Sequence, residues 1–285
     1  MKILAFIWSI ALVLWPSEAS KLLVVFKMPA RSHANLGDAV VRNLLKAGHE
    51  VTYVTAFHYK DPPPNLRLID ISQNIDLIPS SSQVYNLHTI MKNGTKVSDI
   101  NGIKEIVINV AVKAIENVNV QRLLQDPNEH FDAVIVEWAY TDVLSGISTV
   151  FNAPLIWIHP LDIGPDIIGL IDAMPNPAVA PDILNGELHP LTFWQRVNEL
   201  WSRLRLQYLN LIYYDDIECK EYERLFAPIV RKRGRHPPTY SEVRYNASLI
   251  LGNSHVSTGR PLNLPQAYKP IGGFHIDENV RPLPQ

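Results

Sequence analysis

The sequence is poor in the residues from which most metal, cofactor and disulfide chemistry is built. Its 285 residues include a single cysteine, Cys219, so no internal disulfide can close and no cysteine-based metal site exists. There is no HExxH, no paired CxxC and no GxxxxGK[ST], which removes the minimum residues of a zinc hydrolase or a P-loop nucleotidase. The loop after the first apolar run lacks GxGxxG, so a nicotinamide cofactor is not expected, and with the metal motifs missing no metal is expected either. No GxSxG nucleophile elbow is present, which excludes the common α/β hydrolases. Charge is also scarce: 19% of residues are charged and the formal net charge is -2, which gives no footing for nucleic-acid binding. Internal repeats and low-complexity tracts are absent. What remains, 47% hydrophobic residues, is the composition of a globular chain with ample material for a core.

The N-terminus reads as a secretory signal peptide spanning residues 1–19. Met1-Lys2 leads into an apolar run from Ile3 to Trp15, followed by Pro16-Ser17-Glu18-Ala19, a charge, a hydrophobic stretch and a small-residue cleavage site. The run is too short for a membrane anchor, and no later stretch is long and apolar enough to be one. Two sequons, at Asn93 and Asn246, are compatible with glycosylation. The chain is therefore expected in the endoplasmic reticulum lumen or outside the cell.

From Lys21 to Thr55 the pattern is strand, helix, strand. Leu22 to Phe26 is a short apolar run rich in valine, and a loop from Met28 to His33 follows it. Leu36, Ala39, Val40, Leu44 and Leu45 then recur at helical spacing, Gly48 stops the helix, and Val51 to Val54 is a second strand. Such a crossover makes the two strands parallel neighbours in a sheet covered by helices. Further strands are predicted at 66–71, 133–136, 155–158 and 247–252, and helices at 84–92, 103–124, 141–151 and 191–226. The fold class is α/β, a Rossmann-like, mostly parallel sheet flanked by helices, occupying residues 20–265. Residues 266–285 read as linker. The proline-rich segment from His159 to Pro190 is an irregular loop of the length that is usually functional or mobile.

In such a sheet, ligands sit beyond the C-terminal strand ends. His33 and Glu137 each follow a predicted parallel strand and so reach the same edge. A carboxylate that orients a histidine makes it a general base for deprotonating a hydroxyl; a merely exposed loop histidine is the competing reading from pattern alone. Other groups have blander readings. Asp215-Asp216-Ile217-Glu218 reads as a solvated helix face, the aromatics of 191–226 as core packing, and Arg231-Lys232-Arg233-Gly234-Arg235-His236 as a solvated loop.

Four segments carry a resemblance to a known family: Pro29-Ala30-Arg31-Ser32-His33, Leu45-Lys46-Ala47-Gly48-His49-Glu50-Val51-Thr52, Phe131 through Trp138, and Asn253-Ser254-His255 through Ile271-Gly272-Gly273-Phe274-His275. In order and over nearly all of the chain, they resemble the UDP-glycosyltransferases, the insect and other animal members most closely. The resemblance implies the N-terminal, acceptor-binding Rossmann-like domain of a GT-B glycosyltransferase. It implies that His33 takes the proton of a hydroxyl on a small lipophilic acceptor, which then displaces UDP from a UDP-sugar with inversion. Glu137 stands where many members have the partner aspartate. His49 also lies in a family motif and reads as helix-end packing. The resemblance covers about half of such an enzyme and ends at its interdomain linker. The chain alone is then expected to bind acceptor weakly and transfer little sugar. The alternative is a non-catalytic lumenal protein that binds lipophiles, or one that pairs with full-length relatives as a homo- or hetero-oligomer and regulates them.

Overall fold

The computed structural model describes residues 19–77, 100–171, 176, 181, 190–255, 257 and 264–276. The signal peptide before Ala19, the helix expected at 84–92, the sequon at Asn93 and most of the loop after Ile171 lie outside the described residues.

Seven parallel strands form one sheet: β1 (Lys21–Val25), β2 (Glu50–Thr55), β3 (Leu66–Asp70), β4 (Ala133–Glu137), β5 (Leu155–His159), β6 (Ala247–Gly252) and β7 (Tyr268–Pro270), in the order β3-β2-β1-β4-β5-β6-β7. The central strands are apolar nearly throughout because both faces are covered. In β1 and just beyond it, Leu22, Val24 and Phe26 pack on one face, while Leu23 and Val25 pack on the other. The strand period of two thus divides one apolar run between two cores.

The first face is covered by α1 (Arg31–Lys46), whose Val40 and Val41 meet Leu22, Val24, Phe26 and Tyr53. Gly37 permits this close approach, since a Cβ there would lie 2.8 Å from the Phe26 ring and 2.2 Å from the Tyr53 hydroxyl. Gly48 ends the helix at φ 90°, where glycine alone avoids strain. The helix begins at Arg31, earlier than the apolar pattern indicates; Ala30 supplies no side-chain cap that would mark this start in the sequence. His33 therefore lies in the first turn of α1 rather than in a loop.

The second face carries the larger core. It is built from α2 (Ile100–Glu116), α3 (Val118–Gln125), α4 (Gly146–Phe151), α7 (Asp215–Leu225), α8 (Ala227–Lys232) and α9 (Tyr240–Arg244). The helix expected over 103–124 is two, because Asn117 leaves helical geometry and accepts from the Asn119 amide at 2.9 Å, capping α3. Between β5 and β6 also lie the short α5 (Pro165–Ile168) and the long α6 (Phe193–Leu209), whose Thr192–Gln195 capping box marks its start. A π-helical segment, Asn210–Tyr214, joins α6 to α7.

Three expectations are corrected here. The aromatics of α6 are mostly outside: Trp194, Trp201 and Tyr208 are 71%, 68% and 61% exposed, whereas Glu199 is buried. Periodicity identifies a face but not the side on which a neighbour covers it. The basic cluster is not simply solvated, since Arg233 donates to the carbonyls of Leu124 and Glu129 and Arg235 to those of Thr149 and Val150. These arginines close the C-terminal ends of α3 and α4, where carbonyls lack helical partners. Finally, the stretch read as linker from 266 contains β7 and a turn docked on α1. Arg42 and Asn43 donate to the carbonyls of His275 and Phe274 at 3.4 and 3.2 Å.

Candidate active site

The strand order reverses between β1 and β4: the chain runs from β1 outward to β3 and returns beside β1. This is the switch point at which α/β sheets open a crevice beyond their strand ends. Val25 pairs with Val136, so the chain after β1 and the last residue of β4 leave the sheet side by side. The first turn of α1 brings His33 over this opening, and Arg31, stacked 4.3 Å over the Phe57 ring after β2, fastens the start of that helix.

His33 and Glu137 meet here. The imidazole Nδ1 contacts Glu137 Oε1, and the other carboxylate oxygen accepts from the Met28 amide at 3.2 Å. Glu137 is fully buried, and the His33 side chain is 24% exposed. Burial alone would push the carboxyl up, but the His33 charge and hydrogen bond, the Lys27 ammonium and the Met28 amide together hold it below its ordinary range. An ionised Glu137 makes Nδ1 the donor and leaves the lone pair on Nε2. That tautomer can accept a proton from a ligand hydroxyl.

The site rests on groups that sequence reasoning missed. Lys27, two residues past β1, is wholly buried, and its Nζ donates to the Glu137 carbonyl at 3.1 Å. His159, at the end of β5, is buried with its ring 5.1 Å from that of Trp138. Desolvation drives it down to about 3 against the opposing pull of Glu137, so it stays neutral. Behind them, Asp142 accepts from Trp138 Nε1 at 2.6 Å and from Arg244 Nε and Nη2 at 3.1 and 2.7 Å. Arg244 also reaches Asp215 at 2.7 Å.

Glu218 is fully buried, not on a solvated face, and accepts from Thr141 and Tyr240 at 2.6 and 2.7 Å. Its carboxyl is raised, by burial first and by Asp142 second. Of the acidic run, Asp216 alone lies largely in solvent, paired with Lys220. Among the described residues, no three His, Cys, Asp or Glu side chains are grouped to hold a metal ion. The only sequence signal for the buried cluster was a charge directly after an apolar strand, in Lys27 and Glu137 alike.

The other singled-out residues lie elsewhere. His49 precedes β2 at the opposite edge of the sheet, where its Nδ1 accepts from the Ser20 amide at 3.2 Å. Asn246 is exposed just before β6, also at that far edge. No helix among the described residues is long and apolar enough to cross a membrane.

No family model matches the chain. Among curated proteins it is 28% identical over 269 residues to UDP-glucosyltransferase 2 of Dactylopius coccus, covering 94% of this chain and 50% of that protein. It is 25% identical over 280 residues to the ecdysteroid UDP-glucosyltransferase of Lymantria dispar multicapsid nuclear polyhedrosis virus, covering 94% and 52%. A solved structure described as the glycotransferase of kitacinnamycin aligns over 93% of this chain and 55% of its own, at 14% identity and a TM-score of 0.41. The chain spans about half the length of the curated relatives it matches. Over nearly its whole length the chain is similar to several UDP-glycosyltransferases.

Proposed function

We propose that this chain is the acceptor-binding half of a GT-B hexosyltransferase, with His33 as general base. The observation that carries the reading is the His33–Glu137 contact at the switch point between β1 and β4. In the proposed step an acceptor O–H gives its proton to Nε2 of His33. Its oxygen bonds to the anomeric carbon of a UDP-sugar as the bond to UDP breaks on the opposite face, inverting that carbon. Glu137 balances the imidazolium charge that forms. Groups that stabilise the departing diphosphate are commonly the largest contribution to such a step, and in this reading a donor-binding half supplies them. Several relatives are named for ecdysteroids, which puts polyhydroxylated steroids beside phenols as acceptors to try. Entry into the secretory pathway is part of this reading, and a glycan on Asn246 would stand at the sheet edge away from the site.

The test compares wild type with His33→Ala for acceptor binding, and for sugar transfer when a donor-binding half from a relative is added in trans. Acceptor affinity should change by less than about twofold, while transfer falls by a factor on the order of 10²–10⁴. Transfer that survives His33→Ala would overturn the assignment. Acceptor binding with no transfer under any condition would favour the binding or regulatory alternative.

A further inference from the structure

Lys27 has no place in the proposed chemistry, yet it is the one ammonium that the described residues bury completely. Burial is the dominant influence on it and disfavours its charge, opposed by the negative charges of Glu137, Asp142 and Glu218. Its position explains those neighbours. Phe26 still donates to Val54 across the sheet at 3.1 Å, so the strand alternation continues past β1. Phe26 falls on the α1 face with Leu22 and Val24, and Lys27 therefore follows Leu23 and Val25 to the opposite face. That face holds α7 with Glu218 and the segment after β4 with Asp142. Glu137 follows Ile135 toward the α1 face, where His33 waits. Lys27 stands behind the pair, its Nζ on the Glu137 carbonyl while the next amide, Met28 N–H, holds the Glu137 carboxylate.

We propose that Lys27 is a positioning residue for the His33–Glu137 pair: its buried ammonium, tied to the Glu137 main chain, fixes that carboxylate as an anion against Nδ1 of His33. The inference rests on the reading of His33 as base. A fully buried carboxylate with one imidazole for company would take up a proton readily and could then no longer hold the ring with Nδ1 as donor. Lys27 supplies a positive charge that does not depend on protonation of the ring. The other charged groups around it are accounted for. Asp142 is neutralised by Arg244, which Asp215 also engages. Glu218 is held by Thr141 and Tyr240 and lies within the field of Lys104. Glu137 is left as the carboxylate whose main chain Lys27 touches.

The experiment is a titration of the Glu137 side-chain carboxyl by carbon NMR in the full chain, comparing wild type with Lys27→Met, which keeps length and packing but removes the charge. Glu137→Gln identifies the resonance. The midpoint should rise by about one pH unit or more in Lys27→Met. An unchanged midpoint in folded Lys27→Met would overturn the proposal. Should Lys27→Met not fold, the reciprocal measurement decides: in Glu137→Gln the Lys27 ammonium, followed at its Cε, should titrate about one unit lower than in wild type, and equal midpoints would sink the idea. Neither readout depends on sugar transfer. Absent transfer with coupled titrations would count against the transferase reading alone, and intact transfer with uncoupled titrations against the role of Lys27 alone.

Discussion

Two regions of the molecule depart from the usual sorting of residues in opposite directions. Under the C-terminal ends of β1 and β4, the chain buries Lys27, Glu137, Asp142 and Glu218, none more than 4% exposed. Along α6 and the π-helical segment it does the reverse, leaving Trp194, Val197, Trp201, Leu204, Tyr208 and Leu211 between 39% and 73% exposed. The buried charges persist because each is answered: Asp142 by Arg244 and Trp138, Glu218 by Thr141 and Tyr240, Glu137 by His33, Met28 and Lys27. Buried charge in this form need not add stability, but removing one partner is severe. The exposed aromatics have few neighbours to lose. The fold should therefore be sensitive at these buried charges and indifferent at the tryptophans of α6, the reverse of what composition suggests.

The largest effect should come from Arg244→Met, which strands Asp142 and Asp215 near the core. It should lower unfolding free energy by about 3–5 kcal/mol in urea titrations. A loss below about 1 kcal/mol would mean that the acids find water instead. The next effect is one of pH. His159 is held neutral at about 3 in the folded chain, against 6.5 for the free side chain, so its contribution to stability is whole above pH 6.5 and lost as pH falls toward 3. At ~1.4 kcal/mol per unit, stability should drop by about 2–3 kcal/mol between pH 6.5 and 4.5. Below pH 4.5 the depressed Glu137 adds a loss of the same sign. His159→Gln should flatten the upper part of that curve, and an equally steep curve would show that another group titrates there. The smallest effect should be that of Trp194→Gln with Trp201→Gln, within about 0.5 kcal/mol of wild type. A loss of several kcal/mol would erase the contrast between the two regions.

Much of the sheet was legible because its central strands are continuous valine- and isoleucine-rich runs between turn residues, as in 133–136 and 155–158. β7 was not, being three residues long and ending in Pro270, which reads as linker. The N-terminus of α1 was displaced for want of a capping residue at Ala30. In the candidate site, His33 and Glu137 could be paired on paper because both follow parallel strands. Their supports could not: Arg244 lies 102 residues from Asp142, Glu218 77 from Thr141 and Lys27 110 from Glu137. Local pattern carries no trace of such separations, so Asp215 and Glu218 read as ordinary surface acids. Arg233 and Arg235 were misread for the same reason, since the carbonyls they close belong to α3 and α4.

The clamp between α1 and the turn after β7 has a mechanical consequence. His33 occupies the first turn of the helix, while Arg42 and Asn43, nine and ten residues on, hold the carbonyls of His275 and Phe274. At ~1.5 Å of rise per residue, the two ends are separated by about 15 Å of rigid rod. Gly37, pressed against Phe26 and Tyr53, marks where that rod bears on the sheet. The turn after β7 and the imidazole are thereby tied to opposite ends of a single stiff element.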